Sequence, residues 1–329
     1  MPSPAVAVND SLLEVRDLSV NFGAFAAVAG VSFQLGAGET LGLVGESGSG
    51  KSTLARAILR LIPAAHGAVM WRGVDLLSSD SAALRRQRRD LQMIFQDPLG
   101  SLDPRMTAGE AVAEPLEIFE PVLAAQDRRA RIEEMLERVG LARTDAHRYP
   151  HEFSGGQCQR IGIARAMTLR PKLLVCDEPV SSLDVSIQGQ IVNLLMDLQK
   201  EFGTAILFIS HNLAVVRHIS HRVLVMYLGR IVEYAERDAL FLAPAHPYTR
   251  ALLAAVPDCV AFTPQGPARV PDENLAAAGE PPAGNAVANG CAFRNRCRYA
   301  QGICEREVPR LEEVSARHAV ACHRWRELA

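Results

Sequence analysis

Lysine is almost absent from this chain of 329 residues. It stands only at Lys51, Lys172 and Lys200, so nearly all of the 35 basic side chains are arginine, a bias that base composition explains. No run of 18 apolar residues occurs, which excludes a helix that crosses a bilayer. The first residues lack a basic region followed by an apolar one, so no secretory signal is expected and the cytoplasm is the expected compartment. Charge of one sign is also missing. With 35 basic and 37 acidic residues the net charge is −2, so composition gives no global reason to expect nucleic acid as a partner. Internal repeats and coiled-coil heptads are lacking too. What remains, 48% hydrophobic and 22% charged, is ordinary globular composition, enough for one large domain with an appendage or for two domains. Seven cysteines in a cytoplasmic chain argue against a disulfide framework. Three are scattered (Cys158, Cys176, Cys259), and four gather near the end (Cys291, Cys297, Cys304, Cys322).

The hydrophobic pattern changes along the chain. Leu13 to Arg16 and Val31, Phe33 and Leu35 alternate with polar residues, the period of half-buried antiparallel strands. Three short runs, Thr40–Val44, 173–176 and Ala205–Ile209, are almost wholly apolar, as in a parallel sheet covered on both faces. Between the last two, Ile187, Ile191, Leu194, Leu195, Leu198 and Phe202 recur at helical spacing and Gly203 supplies a stop, giving a strand–helix–strand unit. Residues 100–170 are richer in helix formers and read as a helical insertion, with a helix over 128–139. From 257 to 290 alanine, proline, glycine and asparagine prevail without periodicity, as in a linker or surface excursion.

Gly45-Glu46-Ser47-Gly48-Ser49-Gly50-Lys51-Ser52 fits the phosphate-loop pattern G-x-x-x-x-G-K-S/T without a mismatch. It follows an apolar strand and precedes a predicted helix over 53–61, so that Thr53 opens the helix. Glycines let backbone N–H groups converge on phosphate oxygens, and the helix N-terminus favours their charge. Lys51 is expected on the β- and γ-phosphates and Ser52 on Mg²⁺. Asp177-Glu178 closes the second apolar run. Asp177 would hold Mg²⁺ through water, and Glu178 would act as general base on the water that attacks the γ-phosphate.

A second glycine-rich helix start, Ser154-Gly155-Gly156-Gln157, needs a further explanation, because one nucleotide needs one phosphate loop. It resembles the signature of the ABC ATPases, and the remaining motifs of that family are present in order. Gln96 is similar to the Q-loop glutamine that senses Mg²⁺ and the transporter partner, Asp184 in Ser182-Leu183-Asp184 to the D-loop, and His211 to the switch histidine on the γ-phosphate. Phe22 stands where the family stacks an aromatic ring on adenine, more often tyrosine. The resemblance implies an α/β P-loop core: a mostly parallel sheet with helices on both faces, an antiparallel β-subdomain, a helical subdomain and a small C-terminal extension. It implies an ATPase domain over residues 10–256 and an extension over 257–329. It also implies a head-to-tail dimer with a second ATPase, in which Ser154 serves the ATP of the partner. The chain would then lie peripherally on the cytoplasmic face of the membrane, and nucleic acid would not be a partner.

Further stretches narrow the family. Gln92 to Pro98, Ser101 to Thr107, Tyr149 to Ser154 and His246-Pro247-Tyr248-Thr249-Arg250 resemble the ATPases of oligopeptide/dipeptide permeases, and Gln157-Cys158-Gln159-Arg160 resembles their F subunit. This resemblance implies ATP-driven uptake of peptides through two integral-membrane permease subunits, with an extracytoplasmic binding protein acting indirectly. Nickel or glutathione is the alternative cargo, and a soluble ABC ATPase of DNA repair or translation is the more distant reading. The tail agrees through 290–297 and 318–322. Its cysteines are spaced Cys-x5-Cys-x6-Cys-x17-Cys in a segment too small for a core of its own, and four thiolates suit zinc or an iron–sulfur cluster. The related importers suggest 4Fe–4S; zinc, disulfides and no metal stay open. Arg294, Arg296 and Arg298 would offset the charge of a cluster, and the run Arg85 to Arg89 reads as a solvated face.

Overall fold

The computed structural model describes residues 11–255, 261–263, 266–268 and 289–328. These fall into two compact units. One takes in the described residues up to Gly36, Thr40–Ser78 and those from Ser210 onward; the other takes in Ala37–Glu39 and Ser79–Ile209.

In the first unit, Ser11–Phe22 and Phe25–Gly36 form a long antiparallel pair, to which His66–Trp71 and then Val74–Asp75 are added. Alternation puts Leu13, Val15, Val31, Phe33 and Leu35 inside, as the sequence predicts. A second sheet runs in the order Glu312–Ser315, His318–Val320, Arg230–Glu236, Arg222–Tyr227, Thr40–Val44. Only the last pair is parallel. Thr40–Val44 is buried at every residue, so an uninterrupted apolar run is the pattern its position requires.

The second unit carries three parallel strands in the order Ala205–Ile209, Leu173–Asp177, Leu91–Ile94. Val185–Phe202 is the helix between the first two, and it stops at Gly203, whose φ of 64° is left-handed. Residues 100–170 fold into the helices Ala108–Phe119, Ala125–Arg138 and Gly155–Met167, with two single 3₁₀ turns. Thr107 and Glu110 close a capping box on the first of these. Of the basic run, Arg85, Arg86 and Arg88 are exposed, whereas Arg89 pairs with Glu120 at 2.7 Å.

Most of the predicted linker, Cys259 included, lies outside the described residues; within it, Ala261–Thr263 and Gly266–Ala268 pair as a short antiparallel ribbon. The tail, too small for a core of its own, is not left without one. The tail borrows a core: His318–Val320 pairs with Arg230–Glu236, and Phe293, 3% exposed, packs edge-on against Tyr227 at 5.3 Å and beside Tyr248 at 5.4 Å. Underneath, Glu233 is fully buried. It accepts the backbone N–H groups of Ala245 and His246 at 2.6 and 2.9 Å and lies 2.8 Å from His318 Nε2. A buried carboxylate is tolerated only when so surrounded by donors.

Candidate active site

The phosphate loop lies in the first unit, between the strand Thr40–Val44 and the helix Lys51–Ile58, which starts two residues before its predicted place. Gly45 and Gly50 explain why the pattern demands glycine. Their φ angles are 155° and 100°, and a Cβ would run into the carbonyl oxygen of Met226 at Gly45 and that of Ala27 at Gly50. The helix has no side-chain cap, the form of helix start at which anions bind. Ser47 and Gly48 are exposed, Ser52 and Thr53 half-buried. Lys51 is 4% exposed and folds back on its own loop: Nζ donates to the carbonyls of Gly45 and Glu46 at 2.9 and 2.8 Å and to Ser49 Oγ at 3.4 Å. An ammonium buried among loop carbonyls is poised to exchange them for phosphate oxygens. Phe22 ends its strand 55% exposed and pairs in register with Phe25, a free ring face of the kind adenine needs. His211 is exposed just ahead of the helix Leu213–Ile219, which Asn212 caps.

In the second unit, Asp177 is the buried last residue of Leu173–Asp177, and Glu178 follows half-buried with φ of +48°, a costly angle for a non-glycine residue. Glu178 N–H donates to Ile209 O at 3.0 Å, and its carboxylate accepts Gln96 Nε2 at 3.3 Å. The structure therefore brings together two side chains, 82 positions apart, that the sequence flagged separately. Ser154 caps Gly155–Met167, with Gln157 completing a reciprocal capping box at 3.3 and 2.9 Å. Ser154 and Gly155 are exposed. A Cβ on Gly156 would press on Ile187 Cγ2 at 2.9 Å. The Asp184 side chain is exposed at the start of Val185–Phe202.

Sequence reasoning missed how Glu46 is held. Its carboxylate receives both arms of Arg296, Nη1 at 2.8 Å and Nη2 at 3.0 Å, and its N–H donates to the Tyr248 hydroxyl at 2.9 Å. The forked hydrogen bond to the Glu46 carboxylate raises the Arg296 guanidinium pKa above its ordinary value. Arg296 thus has its partner in the phosphate loop, while Arg294 donates to the carbonyls of Asn289 and Cys291. The one available signal was the motif at His246 to Arg250, which resemblance flagged without giving Tyr248 a role.

The four tail cysteines carry free thiols, Cys304 buried and the others partly so. Burial pushes Cys291 up to about 11 and raises Cys297 and Cys322 as well, with charge repulsion from neighbouring thiols a smaller cause. Among the described residues no three His, Cys, Asp or Glu side chains gather closely enough to hold a single metal ion. No described helix is long and apolar enough to cross a membrane.

The profile of the ABC transporter family matches residues 28–181, and that of the oligopeptide/dipeptide transporter C-terminal region matches residues 232–304. The oligopeptide transport ATP-binding protein OppF of Salmonella typhimurium is 51% identical, over 94% of this chain and 95% of its own length. The oligopeptide transport ATP-binding protein AppF of Bacillus subtilis is 46% identical, over 96% and 98%. Among solved structures, the dimeric ATP-binding cassette MJ0796 in a post-hydrolysis state with ADP and phosphate superimposes with a TM-score of 0.63 at 28% identity, over 68% of this chain and 98% of that one.

Proposed function

This chain belongs to the ABC transporter family of ATPases, in its oligopeptide/dipeptide branch, and from that premise we propose that it hydrolyses ATP to drive peptide import through separate membrane subunits. The observation that carries the peptide reading is the match of residues 232–304 to a C-terminal region named for these transporters, on a chain half identical to OppF throughout.

Roles follow from chemistry. The loop Gly45 to Ser52 binds the triphosphate, Lys51 exchanging its carbonyl partners for β- and γ-phosphate oxygens. Thr53 continues the cradle and Phe22 stacks on adenine. The Ser52 hydroxyl and Asp177 carboxylate are hard oxygen donors that suit Mg²⁺, which would neutralise charge developing on the phosphates. Glu178, oriented by Gln96, takes the proton of the attacking water. His211 and Asp184 complete the set. Ser154, Gly155, Gly156 and Gln157 offer an exposed helix N-terminus to the ATP of a second ATPase, a paralogue of this chain. Closure of that pair pulls on two permease subunits, so the chain sits on the cytoplasmic face of the membrane.

Cys291, Cys297, Cys304 and Cys322 are free, mutually interacting thiols that do not converge at single-ion range. What supports a 4Fe–4S cluster is the donor set itself, four free thiols within one short segment, which is the set such a cluster takes. The group would be structural. A brown, iron-containing protein with a broad visible band supports this; a colourless, metal-free chain prepared without oxygen refutes it.

The test of function is purification in detergent with neighbouring subunits. Permease subunits and a solute-binding protein that takes up peptides are expected. A binding protein that prefers nickel or glutathione would change the cargo, and the absence of any membrane subunit would overturn the importer reading.

A further inference from the structure

Residue 46 of the phosphate loop is fixed from three sides. Its carbonyl accepts Lys51 Nζ at 2.8 Å, its N–H donates to the Tyr248 hydroxyl at 2.9 Å, and its carboxylate takes the Arg296 fork at 2.8 and 3.0 Å. Tyr248 is fully buried and the Arg296 side chain only 9% exposed, so neither wanders. Arg296 closes the short turn Arg294–Arg296, which Phe293 anchors against Tyr227 and Tyr248. Arg296 Nη1 also reaches the Tyr227 hydroxyl at 3.4 Å. The guanidinium thus hangs from a rigid aromatic mount and points at the loop.

The three bonds do not last equally. When Lys51 turns to a phosphate it gives up the Glu46 carbonyl, which keeps the Ser49 N–H at 3.2 Å, and the hold from outside the loop is that of Tyr248 and Arg296. We propose that Arg296 is a positioning residue for nucleotide binding: by gripping the Glu46 carboxylate it keeps the phosphate loop open to a triphosphate while Lys51 changes partners. The C-terminal segment is on this account a working part of the nucleotide site. The inference rests on the reading of the loop as an ATP site.

Electrostatics alone gives the opposite sign at one position. Glu46→Gln removes a negative charge beside the triphosphate and frees a cation, so a purely electrostatic role predicts tighter binding. A positioning role predicts weaker binding, because the grip is lost. The experiment titrates the full-length chain with a fluorescent ATP analogue. Glu46→Gln and Arg296→Gln should each weaken binding about tenfold, and the double variant no more than either single one. Arg296→Lys, which keeps the charge but not the fork, should recover part of the loss. Glu46→Gln binding as tightly as the parent or more tightly, or the two losses adding, overturns the proposal. Should Arg296→Gln fail to fold by circular dichroism, Glu46→Gln decides, since it leaves the aromatic mount intact. Lys51→Ala separates the two layers. If it binds like the parent, the ATP reading of the loop fails; if it alone loses binding, only the role of Arg296 fails.

Discussion

At the scale of the residue, function depends on side chains held at some cost. Glu178 adopts a positive φ to stand beyond the buried Asp177, and its carboxylate is steadied by Gln96. Glu178→Gln removes the proposed proton acceptor but almost no volume, so turnover in the assembled transporter should fall by at least about a hundredfold with ATP still bound. Unchanged steady-state phosphate release would take the base role from it. Gly50→Ala should lose nucleotide affinity by at least about tenfold, because its Cβ overlaps the Ala27 carbonyl at a left-handed φ; an unimpaired titration would mean that the loop relaxes. These residues were legible in the sequence because a phosphate cradle needs small residues and a lysine in one contiguous stretch. The Arg296–Glu46 pair was not, since its members lie 250 positions apart and an arginine among cysteines suggests a nearer partner.

At the scale of the element, local rules explain what could be read. Val185–Phe202 was legible to its last residue because its apolar stripe ends where Gly203 turns left-handed. The helix after the phosphate loop begins at Lys51 and not 53, because Gly50 makes the turn and no capping side chain marks it. The docking of the tail was illegible: His318-Ala319-Val320 is too short for periodicity to declare a strand, and the sheet edge it joins is formed by distant residues. That junction is expected to be acid-sensitive. His246 Nδ1 accepts the Tyr248 N–H at 3.0 Å in a fully buried site. Burial, only partly opposed by Glu233 and a bond to the Ala321 backbone and reinforced by Arg250, pushes its pKa down to about 4 from an ordinary 6.5. The unfolded chain therefore binds a proton below about pH 6.5 that the folded chain refuses until about pH 4. Stability should be level above that window and fall through it by about 3 kcal/mol as pH drops. Urea midpoints at pH 7 and 5 measure this, and His246→Asn should flatten the slope. A slope that the variant leaves unchanged would place the acid sensitivity elsewhere.

At the scale of the whole molecule, each chain offers one phosphate loop and one exposed signature helix, which the proposed function assigns to two different sites. Specific ATPase activity of the isolated chain should therefore rise with concentration, and mixing with the other ATPase of the transporter should raise it further. A rate per chain that is constant over a wide dilution series would contradict shared sites. The mount of Glu46 has a consequence in time as well. A ribosome delivers the phosphate loop among the first fifty-odd residues but Arg296 only after some 250 more, so a nascent or truncated chain carries the loop before it carries the brace. On the proposed role of Arg296, a chain that stalls before Phe293 should hold nucleotide about tenfold more weakly than the finished one.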